Sequence, residues 1–167
     1  MVVTKAMPDM LAHVFVAYAT TKIIICNWER VDERYVTIGM VGAFIPELVK
    51  IKLLVPTDVI TRALGIPFHW GSLATGGGVL VSLVIGTLML DPYRRYHGGI
   101  LLGVGAITHL VTDSLNKSAC NFSEQLFWPL LPHRLPSPGL YLSSQPEVTA
   151  VTGIIAAIVW SVCRTLS

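Results

Sequence analysis

The sequence predicts an all-α fold: a polytopic membrane bundle of about five helices with a proline-rich cap before the last of them. Three observations carry the prediction. Charged residues make up only 13% of the chain against 53% hydrophobic, with a mean hydropathy of +0.64; a soluble domain carries roughly a quarter charged residues and could not cover its surface with so few. Four apolar runs reach the roughly 17–25 residues that a helix needs to cross a bilayer. Between Lys117 and Pro146 stand Pro129, Pro132, Pro136, Pro138 and Pro146, a density that forbids a continuous helix. At 167 residues the chain suits one domain, 1–167.

The first helix, at about 8–26, is the most amphipathic, being interrupted by Asp9, His13 and Lys22. Pro8 fits a first helical position, and Asp9 beside it favours the positive end of the helix dipole. The clear spans are at about 35–54, 70–90, 98–116 and 147–165. The segment 117–146 also holds Phe122, Phe127, Trp128, Leu130, Leu131, Leu140 and Tyr141, too apolar for a loose linker, and reads as a folded cap at the membrane surface. The first residues lack the basic start and cleavage site of a signal peptide, so the first helix is expected to be retained.

Small residues recur at helical spacing. Gly99 and Gly103 form a GxxxG, and Gly78, Ser82 and Gly86 repeat the pattern in the preceding helix. Such faces let helices approach closely in lipid and also suit self-association into homo-oligomers. Cys26, Cys120 and Cys163 are odd in number and widely separated, with no C-x-x-C pair. They read as small apolar fillers, not as a disulfide framework or a zinc knuckle. No basic cluster points to nucleic acid. The compact loop with Arg94 and Arg95 is taken as cytoplasmic, which sets the opposite face outside the cell membrane.

Ionisable groups inside a membrane cost several kcal/mol unless paired or hydrated, so each is a functional candidate. Asp9 and His13 lie four apart, as do His109 and Asp113, and residues so spaced share a helix face. Glu47 follows Pro46 and can pair with Lys50 one turn on; His69 precedes the third span. Because the chain reverses with each span, His13, Glu47, His69, His109 and Asp113 fall on one membrane face. Imidazoles and carboxylates converging from four helices form a donor set for Zn, Mn or Fe rather than Ca. His97 and His133 read as surface residues.

MPDMLAH, GAFIPELVKI, WGSLATGGG, HLVTDSL and FWPLLPHRLPSPGLYLSS span nearly the whole chain. With these segments it resembles the membrane-bound metal-dependent hydrolases of bacteria and archaea, and the archaeal branch most. The resemblance implies His13, His109 and Asp113 as metal ligands, with Glu47 standing where the family usually has Asp after Pro46. It further implies His69 and Glu47 as catalytic groups. Backbone N–H groups around Thr75, Gly76 and Gly77 would hold an anionic group, with Asp9 orienting. Val49 stands where many members carry Asn or Asp. Ala74 stands where a second His is expected, and alanine neither binds metal nor moves a proton. Three alternatives follow: His69 replaces the missing ligand, the protein is a non-catalytic relative binding lipid or a partner, or Ala74 is an introduced inactivating replacement. The implied activity is hydrolysis of a lipid or other membrane-associated phosphoester by metal-activated water. The rivals are a non-enzymatic lipid- or partner-binding protein and a small carrier, the latter disfavoured because no inverted repeat is evident.

Overall fold

The computed structural model describes residues 7–28, 31–116, 139–142 and 145–166. Among these the fold is all-helical, the sole extended pairing being a parallel bridge between Asn116 and Tyr141. Helix α1 is Met7–Cys26, and Asp32, accepting a 2.8 Å hydrogen bond from the Arg34 amide, starts the 3₁₀ turn Glu33–Tyr35. Helix α2 is only Val36–Gly42. The expected continuous helix over 35–54 is instead broken: after a turn at 43–45 the chain resumes as a 3₁₀ helix, Pro46–Leu53. Pro46 has no N–H to offer the preceding turn and its ring crowds that turn's carbonyl, so it begins an element instead of continuing one.

Helix α3, Thr57–Leu64, was not expected from the sequence; Gly65 ends it at φ +68°, a left-handed turn that glycine adopts without Cβ strain. The Trp70 indole N–H donates to the Val55 carbonyl at 2.9 Å, closing this excursion on itself. The expected helix over 70–90 divides into a 3₁₀ turn, Trp70–Ala74, and α4, Gly76–Met89. Thr75 causes the division, because its hydroxyl accepts from the Gly78 amide at 3.1 Å and caps the new helix. A 3₁₀ turn, Pro92–Arg94, leads into α5, Arg95–Ser114, and the last helix, α6, is Pro146–Leu166. Most of the proposed cap lies outside the described residues.

Glycines decide the packing, and those of the small-residue patterns take part: a Cβ on Gly78 would sit 2.0 Å from the Ser72 carbonyl oxygen and one on Gly86 3.0 Å from the Leu102 side chain. Helix α2 lies between α1 and α5. A Cβ on Gly39 would sit 2.2 Å from the Thr21 hydroxyl of α1, and one on Gly105 of α5 only 1.8 Å from the Gly39 carbonyl oxygen. A Cβ on Gly42 would come within 2.1 Å of the Leu102 carbonyl. Gly99 does rest on Thr87, but Gly103 faces open space. Two apolar clusters flank this seam, one around Ile25, Val31, Val36 and Leu101, the other around Ile45, Val79, Leu102 and Ala106.

Chain direction follows from the contacts. Trp28 and Tyr35 meet His97 at one end of the bundle, with ring centroids 5.1 and 6.3 Å away, while His13, Glu47, His109 and Asp113 meet at the other. Helix α1 therefore runs opposite to the α2 segment and to α5. Helix α6 runs parallel to α1, with Gly153 beside Phe15 and Cys163 beside Cys26.

That last pair corrects the sequence reading. Cys26 and Cys163 form a disulfide with Cα atoms 6.1 Å apart, stapling α1 to α6. A separation of 137 residues leaves no local signature for such a pairing, so only the parallel docking of the two helices reveals it.

Among the described residues one helix, Pro146–Thr165 within α6, is long and apolar enough to cross a membrane. Met10–Cys26 and Gly76–Met89 are apolar but shorter, and the expected span over 35–54 breaks after Gly42, resuming only as a 3₁₀ helix at Pro46. The outward faces of α4 and α6 are nonetheless aliphatic, with Leu80, Val84, Ile85, Leu88, Val151, Ile154, Ile155 and Ile158 all exposed. Contiguous apolar surface of this kind marks contact with a membrane or another protein.

Candidate metal centre

The centre is built from the first third of α1 and the last two turns of α5. His13 points into the bundle from a helix on which Ala12 and Ala17 are also fully buried. On α5, Gly105 meets the Gly39 carbonyl of α2, and Ala106 packs with Ile45, Val79 and Leu102. His13 and His109 are 1% and 2% exposed, respectively. Their imidazoles stack, with centroids 3.9 Å apart and planes 21° from parallel.

Both rings turn the same nitrogen toward one carboxylate. His13 Nε2 lies 3.2 Å from Asp113 Oδ1, and His109 Nε2 lies 3.1 Å from Asp113 Oδ2. The i,i+4 spacing of His109 and Asp113 brings the second contact about within a single helix. The Asp113 side chain is 34% exposed, so the cluster opens to its surroundings through this residue. Just past it, the Tyr141 hydroxyl donates to the Thr112 carbonyl at 2.7 Å and the Leu140 amide to the Leu115 carbonyl at 2.9 Å. These bonds pin the chain returning from the cap region against the end of α5.

One ligand atom from each of His13, His109 and Asp113 can be chosen so that all lie within 4.8 Å of one another, a group that could hold a metal ion. The donor chemistry fits: two imidazole nitrogens and a carboxylate are a ligand set for a divalent transition metal with open positions. Ligand atoms about 2.0–2.2 Å from a tetrahedral ion lie roughly 3.3 Å from one another, close to the 3.2 and 3.1 Å at which the two imidazoles meet Asp113. The same distances suit two imidazole N–H groups donating to Asp113. His109 Nδ1 is buried with no hydrogen-bond partner among the described residues, so no second contact fixes the tautomer of that ring.

The remaining expected site residues divide. Glu47 reaches the cluster's edge: its Oε1 lies 3.8 Å from His109 Nε2, while its Oε2 holds the Lys50 ammonium at 2.5 Å. It is therefore near the group but engaged elsewhere. His69 is exposed at the start of the Trp70–Ala74 turn and is not part of the group. Thr75 is buried and committed to capping, accepting from Gly78 and donating to the Ser72 carbonyl at 2.7 Å. Gly76 and Gly77 open α4. Asp9 lies in α1 and Ala74 ends its 3₁₀ turn, but the side chains of both fall outside the described residues. At the other end of the bundle, sequence reasoning missed the pairing of the buried Lys22 ammonium with Glu33. Lys22 amid an apolar helix was the available signal, since a buried ammonium requires a partner.

No protein-family model, curated protein or solved structure matches this chain.

Proposed function

We propose that the protein is a multi-pass membrane hydrolase whose metal is held by His13, His109 and Asp113, with Glu47 completing the set, and whose substrate is a membrane-associated phosphoester. The observation that carries this reading is two almost fully buried imidazoles converging on one carboxylate that is about a third exposed, in a chain with little charge elsewhere to spare. A divalent metal at such a site supplies the Lewis acidity that makes water nucleophilic near neutral pH. The chain's own residues orient the donors, exclude solvent behind the stacked rings and leave the Asp113 side open to an incoming group. The resemblance of the MPDMLAH, GAFIPELVKI and HLVTDSL segments to the membrane-bound metal-dependent hydrolases prompts the reading; the exposed aliphatic faces of α4 and α6 support its membrane setting.

Orientation is part of the proposal. The disulfide lies at the bundle end opposite the metal group, and disulfides persist in oxidising compartments. The Cys26–Cys163 end is therefore set outside and the metal group on the cytoplasmic side, the reverse of what the Arg94–Arg95 loop alone implies. In intact cells, a membrane-impermeant maleimide added after reduction is expected to label Cys26, the exposed partner of the pair. Labelling that requires a breached membrane would return the metal group to the outer face.

The hydrolase reading is tested by elemental analysis of protein purified without chelator, expected to hold about one zinc, manganese or iron per chain. A metal content well below stoichiometric, unchanged after reconstitution with each ion, would leave Asp113 as a carboxylate bridging two imidazoles in a non-enzymatic protein.

A further inference from the structure

Glu47 and Lys50 sit side by side at the rim of the metal group, and the reading above uses only the first. Their geometry is asymmetric. Glu47 is 11% exposed and spans the gap between two partners, one oxygen 3.8 Å from His109 Nε2 and the other on the Lys50 ammonium. Lys50 is 45% exposed, its ammonium reaching inward from the surface. It belongs to the short 3₁₀ helix Pro46–Leu53, where i,i+3 side chains eclipse and so lie side by side.

We infer that Lys50 is the residue that binds the phosphoryl oxygens of the substrate, and that Glu47 holds it in reserve until metal loads. This rests on the proposed metal group. A cation at His13, His109 and Asp113 would attract the carboxylate at the edge of the set, and Glu47 Oε1 lies there, 3.8 Å from His109 Nε2. Were Glu47 to turn toward the cation, its pairing with Lys50 would weaken and leave the ammonium beside the cluster. A cation and a lysine presented together on one rim are a binding site for an anionic oxygen group: charge-assisted contacts to phosphate oxygens are short and strong, and lysine serves as a point charge for them. The ligand chemistry is a phosphoryl group, carried either by a lipid headgroup or by a soluble phosphoester.

Two experiments separate this from the metal reading. In metal-free protein, Glu47→Gln releases Lys50 without any ion, so inorganic phosphate is expected to bind at least about tenfold tighter than to the unaltered chain, and Glu47→Gln/Lys50→Met to lose that gain. In zinc-loaded protein in nanodiscs, Lys50→Met is expected to keep its zinc yet bind the phosphoryl probe at least about tenfold more weakly, while Lys50→Arg stays within roughly threefold. Inorganic phosphate and a short-chain phosphatidate serve as the two probes. Binding of phosphatidate alone identifies a lipid headgroup, and comparable binding of both identifies a soluble phosphoester; either supports the role of Lys50. Unchanged phosphoryl affinity in zinc-loaded Lys50→Met overturns it, as does the absence of any gain in metal-free Glu47→Gln. Failure of the unaltered chain to load zinc removes the metal group, and with it the reserve role of Glu47.

Discussion

Asp113→Ala is expected to lower divalent-metal affinity by more than about 100-fold, to below stoichiometric retention through purification. The carboxylate touches both imidazoles, at 3.2 and 3.1 Å, so its loss removes a ligand and also a feature that aligns the other two. Loss of a group that only supports a ligand already costs 10–100-fold, and a ligand costs more. The metal-free protein suffers as well. Two stacked, nearly fully buried rings lose the acceptor between them, at a cost of about 1–3 kcal/mol. Asp113→Asn separates the two effects. An amide still offers its oxygen to one imidazole N–H, so stability should largely survive, while metal affinity should fall nearly as far as in the alanine variant because the anionic donor is gone. Isothermal titration with zinc and thermal melts on the same preparations read both quantities. Equal zinc affinity in unaltered and Asp113→Asn protein would show that Asp113 is not a ligand.

His13, His109 and Asp113 could be singled out from the sequence for one physical reason. An imidazole or carboxylate inside an apolar helical run has no cheap solvation there, and the alternation of chain direction places three such anomalies at one end of the bundle. The structure brings those three together. His69 was legible only as a residue type near a span; the 3₁₀ turn and the Thr75 cap that leave it exposed depend on a hydroxyl–amide bond that periodicity does not register. The disulfide was illegible because it depends on the parallel docking of α1 and α6, a relation between elements and not within one. The break at Pro46 was legible in principle. A proline in the third quarter of an apolar run predicts either a kink or a stop, and the stop is what occurs, delivering Glu47 and Lys50 in eclipsed 3₁₀ geometry at the rim.

The glycines show the same boundary from the other side. GxxxG spacing marks Gly99 and Gly103, yet the closest backbone approach in the bundle belongs to Gly105, two residues on and on a different helix face. Spacing reveals that a helix has a small face; which face meets a neighbour is decided by where the partner runs. Here the partner is α2, and its own Gly39 and Gly42 are part of the answer, so the seam consists of glycine against backbone on both sides. Gly105→Ala should therefore be among the most damaging single changes in the chain. Its Cβ would fall 1.8 Å from the Gly39 carbonyl oxygen and 3.0 Å from the Ala43 amide nitrogen, and backbone atoms cannot move aside as a flexible side chain can. Either α2 withdraws from α5 or the variant does not fold, at a cost of order 3 kcal/mol or more. His109 stands one turn further along α5, so a withdrawn α2 also carries Glu47 away from the metal group. Gly103→Ala is the matched control. Its Cβ meets nothing within 4 Å inside helix α5, so the change should cost no stability and gain up to about 1 kcal/mol from helix propensity. Melting temperature and monodispersity after extraction measure the contrast. Equal behaviour of the two variants would mean that α2 does not lie against α5 at Gly105, and the rim formed by Glu47 and Lys50 would then have to be placed elsewhere.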